Sequence, residues 1–177
     1  DGVMYPLWDT GVKLGHSSAT ESEILAMASG DALLKNSLLD ARPVCGGSAL
    51  YSRFRRAFDA ACQLTKKEHF DTLMRLKRDR HAAFNWTPYI QEPNIKNGIG
   101  GLRDFQTMRW KALLNFGSPK IEALMRKGLL SASEYRALRR AFGFLLKVRN
   151  DLHFQTNRPT DVLDLEKQPS AGSSGSG

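Results

Sequence analysis

Residues 92–104 read Glu-Pro-Asn-Ile-Lys-Asn-Gly-Ile-Gly-Gly-Leu-Arg-Asp, a stretch that interrupts the helical pattern of the chain. Its proline fixes one backbone angle, and its three glycines, within four positions, allow backbone geometry that other residues resist. Proline, asparagine and glycine are frequent from residue 87 onward. The sequence therefore predicts a loop over residues 87–101 with helices on both sides.

Apolar residues recur at helical spacing on both sides of this loop. Before it, the pattern covers residues 50–61 and residues 66–84. After it, a helix with a new apolar stripe begins at Asp104. Two further helical segments follow, over residues 118–128 and from residue 131 to Pro159. These segments predict an all-helical body of about five helices.

Cap signals mark several helix starts. Thr20 with Glu23, and Ser131 with Glu134, have the spacing of a capping box, in which each member satisfies a backbone N–H of the other. Pro119 follows a serine and is suited to the first position of a helix, where its missing N–H costs nothing. We therefore expect helices to begin at these three places.

The first fifty residues are less regular. Residues 12–17 are a candidate strand, and residues 37–42 fit either a strand or a helix that ends before Pro43. The predicted fold class is therefore mainly α, with a helical, bundle-like domain preceded by a small α+β piece.

Composition and charge narrow the class of protein. Hydrophobic residues make up 41% and charged residues 25% of the 177, as in ordinary globular domains. No apolar run approaches the roughly 20 residues that span a bilayer, and no signal peptide is recognised, so we expect a cytoplasmic protein without a membrane partner. The net charge of +8 favours nucleotide phosphates, nucleic acid or an acidic protein surface, although solvated helix faces give the same excess.

Cysteine and histidine indicate no metal site. Cys45 and Cys62 are the only cysteines, and their spacing is that of neither a zinc site nor a disulfide framework. The four histidines are scattered and form no metalloprotease motif. We therefore predict no metal site from these residue types.

The glycine-rich segment offers one candidate binding site. Closely spaced glycines let backbone amides approach a bound anion, and the side chains that flank them are basic. An arginine is suited to grip a phosphate or carboxylate with two hydrogen bonds. The candidate residues for nucleotide or partner binding are Lys96, Gly98, Gly100, Gly101 and Arg103.

The same segment also fits a rigid connection between helices. In that interpretation Glu92 pairs with Lys96 or Arg103, and Asp104 caps the following helix. Glu92, Asn94 and Asp104 are then the candidates for loop support. The glycine pattern is neither a P-loop nor a dinucleotide fingerprint, so both interpretations remain open.

Four segments, in order, resemble one protein family. Residues 92–104 are similar to the E-P-N-I-K-x-G-x-G-G-L-R-D segment of bacterial protein-PII uridylyltransferase/uridylyl-removing enzymes. Residues 5–17 resemble the family's Y-P-L-W-D-x-G-x-x-x-G-H-S, residues 37–42 its S-L-L-(D/E)-A-R, and residues 148–153 its V-R-x-x-L-H. The resemblance extends from Tyr5 to about residue 168.

This resemblance implies a nucleotidyltransferase function. Family members transfer UMP from UTP to a tyrosine of the signalling protein PII with Mg²⁺, in the manner of polymerase-β-like nucleotidyltransferases. There, two metal-binding carboxylates one residue apart follow a Gly-Ser turn. A separate histidine-aspartate domain removes UMP, and C-terminal modules sense glutamine.

The paired carboxylates have no counterpart in this sequence. Residues 164–166 read Asp-Leu-Glu, with the right spacing but without the Gly-Ser turn. We therefore expect an internal fragment with no catalytic residue of its own, inactive alone and without tight binding of Mg²⁺ or UTP. Asp40 is the one candidate for a supporting acid, and pairing with Arg42 is the alternative for it.

The resemblance also implies domain boundaries. Residues 1–45 would be the C-terminal part of the nucleotidyltransferase domain and residues 46–168 a helical domain, while the Gly/Ser-rich residues 169–177 look like an artificial linker. Ser18 stands where the family usually has an arginine, so that arginine's phosphate contact is not carried over. The implied partners are PII, the nucleotidyltransferase core and a downstream histidine-aspartate domain.

Two other functions remain possible from the residues alone. The net charge and the basic clusters of residues 53–56 and 75–80 suggest a helical nucleic-acid-binding module. Against this, no nucleic-acid-binding motif is recognised and aromatic residues are not interleaved with the basic ones. A purely structural or interaction module is the third hypothesis.

Overall fold

The computed structural model describes residues 4–10 and 15–168, and these residues are almost entirely helices and loops. The chain divides into two compact units, Asp1–Arg55 and Arg56–Gly177. The predicted mainly α fold class is confirmed. Within the described ranges, no helix combines the length and the apolar character that a bilayer crossing requires.

In its described residues, the first unit contains three short helices and the start of a fourth. These are α1 (Met4–Asp9), α2 (Glu21–Gly30), α3 (Ala32–Leu39) and the first turns of α4 (Ser48–Leu64). The capping box predicted at the start of α2 is confirmed: the N–H of Glu23 donates to Thr20 Oγ1, and the N–H of Thr20 donates to Glu23 Oε2 at 2.7 Å. Local sequence therefore fixes where α2 begins.

The ambiguous segment of the first unit is resolved in favour of a helix. Residues 37–39 are the last turn of α3. The N-cap of this helix is Asp31, whose carboxylate accepts from the N–H groups of Leu33 and Leu34 at 2.8 and 3.1 Å. The candidate strand at residues 12–17 is different, since residues 12–14 lie outside the described residues and residues 15–17 have no regular structure. The α+β piece therefore stays a prediction.

The second unit contains the rest of α4 and the helices α5 (Lys66–Ala82), α6 (Leu102–Phe116), α7 (Ile121–Arg126) and α8 (Ala132–Thr156). These are the five helices that the sequence predicts. The predicted loop lies between α5 and α6, and the predicted capping box of Ser131 and Glu134 opens α8.

The predicted start of α7 at Pro119 is wrong, because the helix begins at Ile121 with Lys120 as its N-cap. Ser118 Oγ accepts from the N–H of Lys120 at 3.3 Å, and the Pro119 carbonyl accepts from Arg109 Nε at 3.3 Å. The Ser-Pro pair therefore forms the turn between α6 and α7 instead of the first turn of a helix.

Two apolar clusters pack the second unit. In the first, Val148 and Leu152 of α8 pack against Ile95 of the loop, with Leu145 and Leu163 at the edge. The second cluster joins α6, α7 and α8 and contains Ala112, Ile121 and Leu124, packed against Phe105, Met108, Leu130, Tyr135 and Leu138. Because α8 contributes to both clusters, its apolar edge positions the loop.

After α8 the chain returns to the loop. Asn157 ends the helix with a φ of 48°, in the left-handed region. The following residues 158–168, here called the return segment, pair with the start of the loop. The N–H of Ile95 donates to the Asp161 carbonyl at 2.8 Å, and the N–H of Leu163 donates to the Pro93 carbonyl at 3.0 Å.

Replacing Leu152 with alanine should destabilise the second unit, because this leucine is only 1% exposed and its removal leaves a cavity between α8 and the loop. The expected loss in the free energy of unfolding is roughly 2–5 kcal/mol, measured by urea denaturation. Phe154→Ala is the matched control on the same helix, since Phe154 is 85% exposed. It should change the free energy by less than about 0.5 kcal/mol. Equal losses for the two variants would contradict the core position of Leu152.

Candidate functional site

The glycine loop, residues 92–101, is closed by hydrogen bonds within the loop. Asn94 Oδ1 accepts from the N–H groups of Lys96 and Asn97 at 3.1 and 2.7 Å. The Asn94 carbonyl accepts from the N–H of Gly98 at 2.8 Å. Asparagine favours such turns because its short side chain reaches the backbone two and three residues on.

The loop also caps the start of α6. The first two N–H groups of the helix, from Leu102 and Arg103, donate to the carbonyls of Ile95 and Lys96 at 3.0 and 2.8 Å. N–H groups at a helix start have no partner within the helix and are elsewhere a common anion-binding site. Here the loop supplies their acceptors, so hydrogen bonds join the loop to the start of the helix.

Close backbone approach explains two of the three loop glycines. A Cβ on Gly98 would lie 2.5 Å from the Asn94 carbonyl oxygen, and a Cβ on Gly101 would lie 2.8 Å from that of Ile95. Real Cβ atoms do not approach backbone this closely. Gly100 has a different reason, a φ of 77°, which side chains disfavour.

The N–H groups of these glycines already have acceptors inside the protein. Gly98 donates to Asn94, Gly100 donates to Asp104 Oδ2 at 2.9 Å, and Gly101 donates to the Gly98 carbonyl at 3.0 Å. An anion at this loop would therefore meet side chains, those of Lys96 and Arg103, rather than a cradle of glycine amides.

Asp104 joins the loop to α5. Its carboxylate accepts from Arg80 Nη2 at 2.7 Å and lies 2.9 Å from His81 Nε2, in addition to its bond from Gly100. Arg80 also donates from Nη1 to the Asn97 carbonyl at 3.0 Å. Asp104 is the third residue of α6, whose N-cap is Gly101, so the prediction that Asp104 caps the helix is wrong in detail. It binds the loop instead.

These contacts set the ionisation of Asp104. Burial alone would raise the pKa of this carboxyl group. The hydrogen bonds from Arg80, from the N–H of Gly100 and from His81 outweigh burial and hold the pKa below its ordinary value. Asp104 is therefore a carboxylate at neutral pH, and its charge stabilises the contact between α5 and the loop.

A second carboxylate, Asp161 of the return segment, holds the other side of the loop. Arg149 Nε of α8 donates to Oδ1 at 2.6 Å, Lys96 Nζ lies 3.4 Å from Oδ2, and His153 Nε2 lies 3.9 Å from Oδ1. Burial would raise the pKa of Asp161, but the hydrogen bond and charge of Arg149 and the charge of Lys96 lower it below its ordinary value.

The Asp161 cluster keeps a positive surplus at the surface. Two permanent cations face one carboxylate, and the side chains of Lys96 and Arg149 remain 35% and 30% exposed. Charged groups with this exposure can still contact a ligand. The cluster is thus an accessible, slightly cationic spot fixed on the loop.

The remaining predicted site residues lie apart from these two clusters. Arg103 Nη1 donates to Gln106 Oε1 at 2.6 Å, and the Glu92 carboxylate accepts from the N–H of Leu165 at 3.2 Å. Lys96 thus pairs with Asp161, and the predicted pairing of Glu92 with Lys96 or Arg103 is wrong. Asp40 is exposed at the C-cap of α3 in the first unit.

Sequence reasoning missed Arg80, His81 and Asp161. Arg80 belongs to a basic run that is indistinguishable from a solvated helix face, and Asp161 stands alone in an irregular segment. Arg149 and His153 did carry a signal, because the spacing of V-R-x-x-L-H places them four residues apart on one helix face. Among the described residues, no three His, Cys, Asp or Glu side chains are grouped to hold a metal ion.

Comparison with known proteins identifies one family. The family model described as GlnD PII-uridylyltransferase matches residues 68–174, more than half of the chain. The match includes the glycine loop, α8 and the return segment, so both carboxylate clusters lie within it. No solved structure matches the chain.

Curated relatives carry one description, bifunctional uridylyltransferase/uridylyl-removing enzyme. The relative from Erythrobacter litoralis is 40% identical over 95% of this chain, and the relative from Burkholderia mallei (strain SAVP1) is 40% identical over 94%. A relative from Bradyrhizobium sp. (strain ORS 278) is 34% identical over 95%. The chain spans about a fifth of the length of these relatives, 18 to 19%.

Replacing Gly101 with alanine should destabilise the protein, because the new Cβ would collide with three backbone carbonyl oxygens within 3.0 Å. The expected loss in the free energy of unfolding is about 1–3 kcal/mol by urea denaturation. Gly143→Ala in α8 is the control, since its Cβ meets nothing within 4 Å. Alanine at that helical position should stabilise by up to about 1 kcal/mol. A Gly101→Ala variant as stable as Gly143→Ala would contradict the described loop packing.

Replacing Asp104 with asparagine should cost roughly 2–3 kcal/mol of unfolding free energy at pH 7, since Arg80 and His81 lose their charged partner. The folded-state pKa of Asp104 is depressed, so its contribution is present above the ordinary carboxyl range and is lost as the pH falls through the folded pKa. The gap between parent and variant should therefore shrink below about pH 4.

The control for this series is Asp71→Asn, which removes an exposed carboxylate from α5. Its free energies of unfolding, measured by urea denaturation at pH 7, 5 and 3, should agree with those of the parent within about 0.5 kcal/mol. A gap between parent and Asp104→Asn that stays constant across this pH range would sink the ionic role of Asp104.

Proposed function

The chain belongs to the GlnD PII-uridylyltransferase family, and from this premise we propose that it forms part of an enzyme that transfers UMP from UTP to the signalling protein PII. The relatives' description as bifunctional supports a second, uridylyl-removing activity in the same enzyme. Mg²⁺ and UTP are the proposed cofactor and donor. The observation that carries the proposal is the match of the family over residues 68–174, which contain the whole glycine loop.

Residues 46–168 are proposed as the helical domain of this enzyme, and residues 1–45 as the end of its nucleotidyltransferase domain. The division of the chain into compact units falls at Arg55, inside α4 and near the proposed boundary. Residues 169–177 lie outside the described residues.

The transfer step itself is proposed to depend on residues that this sequence does not include. In polymerase-β-like transferases, two carboxylates one residue apart hold the metal ions that activate the attacking oxygen and neutralise the leaving pyrophosphate. No Asp-x-Asp pair occurs in the 177 residues, and Asp164-Leu165-Glu166 has no Gly-Ser turn before it. Asp164 forms an ion pair with Lys167.

The proposed role of the glycine loop is to present cations to an anionic ligand, either the phosphates of UTP or an acidic part of PII. Lys96 is held by Asp161 and Arg103 by Gln106, so both side chains are positioned before a ligand arrives. Gly98, Gly100 and Gly101 contribute by allowing the tight backbone path. Asn94, Glu92 and Asp104 fix that path through their hydrogen bonds.

A basic nucleic-acid-binding module is the second candidate, and the charge distribution is the observation that favours it. Of the 26 basic residues, 21 lie from Arg56 onward, together with 12 of the 18 acidic residues, so the second unit carries a net charge of +9. Binding of this kind weakens steeply with salt.

The deciding experiment is a titration of the 177-residue chain with Mg-UTP, followed by backbone amide shifts in ¹H–¹⁵N NMR. We expect saturable shifts over residues 96–104, and weaker binding by Lys96→Gln and Arg103→Gln than by the exposed control Lys67→Gln. If millimolar UTP causes no shift, the same titration with PII tests the other proposed ligand. No response to either would overturn the proposed role of the loop.

The chain alone should not label PII with UMP from radiolabelled UTP, because the paired carboxylates are missing from it. Detectable UTP-dependent labelling would contradict the proposed division of labour. Steeply salt-dependent binding of DNA or RNA, with no response to UTP or PII, would favour the second candidate.

A further inference from the structure

A large cavity lies between α5, α6, α7 and α8 of the second unit, and the proposed function makes no use of it. Its volume is about 680 Å³ and it is partly open to solvent. Pockets that hold small organic ligands have volumes of roughly 300–1,000 Å³. The cavity is therefore large enough for a small molecule.

The walls of the cavity are mainly apolar. Phe105 of α6 and Phe142 of α8 stack with ring centroids 3.8 Å apart, and Leu124 and Leu138 complete the apolar wall from α7 and α8. Leu138 and Phe142 lie four residues apart, on one face of α8. A polar base or sugar would find few hydrogen-bonding partners on such walls, whereas an apolar body fits them.

Two lysines break the apolar character at one side of the cavity. Lys77 of α5 and Lys111 of α6 both line it. The Lys111 ammonium lies 4.7 Å from the centre of the Phe70 ring and 3.6 Å from Met74 Sδ. Burial, and then the charge of Lys77, lower the pKa of Lys111. Two like charges at a partly desolvated place repel each other, and a bound anion would relieve that repulsion.

The acid that lines the cavity does not neutralise this pair. Asp104 is on the cavity wall, but its carboxylate is bound by Arg80, His81 and the N–H of Gly100. The cavity therefore combines an apolar body with a cationic side.

We propose that this cavity binds an amphipathic small-molecule carboxylate, with the carboxylate at Lys77 and Lys111 and the apolar part between α6 and α8. The inference goes beyond the proposed function, because neither UTP nor a tyrosine of PII has an apolar body of this kind. Gly100 and Asp104 line the same cavity, so an occupant would lie next to the glycine loop.

The test uses sodium decanoate as the probe and the 177-residue chain, with ¹H–¹⁵N NMR as the readout. We expect saturable shifts in α5, α6 and α8 around the cavity, and a dissociation constant for the neutral analogue decanol at least roughly tenfold higher, as the loss of a charge-assisted contact requires. Lys111→Gln and Lys77→Gln should each weaken decanoate binding by a similar factor and leave decanol binding unchanged. Lys67→Gln, an exposed lysine at the start of α5, is the control and should bind decanoate as the parent does.

A cavity-filling variant separates binding from folding. Ala141 lines the cavity from α8 and is exposed, so Ala141→Trp should block decanoate while the far-UV circular dichroism stays unchanged. Equal affinities for decanoate and decanol, or decanoate binding that survives Ala141→Trp, would overturn the proposal. An absence of decanoate binding would also overturn it. If an acidic amphipathic peptide then binds the same helices, the cavity is a protein-docking groove instead.

Discussion

The Asp104 carboxylate is the contact on which the site in the second unit depends. Donors from α5 and from the glycine loop converge on it, while Asp104 itself belongs to α6. Three segments are thereby fixed by one charge that is mostly withdrawn from water. Removing one member of such a group leaves the others partly buried and unpaired, which costs more than the contact itself contributes. Asp161 acts in the same way on the opposite side of the loop, where it binds α8 through Arg149.

Local features of this fold could be predicted from the sequence. Both residues of each capping box, at Thr20 and at Ser131, lie within four positions of the sequence. Such a box therefore does not depend on contacts with distant parts of the chain. Apolar spacing likewise predicts α4, α5, α6 and α8, because a helix must bury its apolar face. The turn at Pro119 was missed because Ser-Pro fits a turn as well as a helix start, and the choice depends on a contact from Arg109.

The partners of the loop could not be predicted in the same way. Glu92 is close in sequence to Lys96 and Arg103 and opposite to them in charge, yet each of the three has another partner: Leu165 N–H for Glu92, Asp161 for Lys96 and Gln106 for Arg103. Arg80 and Asp161 come from segments far from the loop in sequence, and nothing in their own neighbourhoods marks them. The family resemblance did mark segments that meet in the fold. Two of its four segments, residues 92–104 and residues 148–153, contact each other through Ile95, Val148 and Leu152.

The pairing of the return segment with the start of the loop has a consequence for how the molecule folds. The N–H of Ile95 and the N–H of Leu163 find their acceptors across the whole length of α6, α7 and α8. Contacts between such distant positions close late, because chain entropy opposes them until the intervening helices are formed. We therefore expect the loop to acquire its final geometry only after α8 has docked. On partial unfolding, these two hydrogen bonds should open first. The amides of Ile95 and Leu163 should therefore exchange hydrogen faster than amides in the middle of α8.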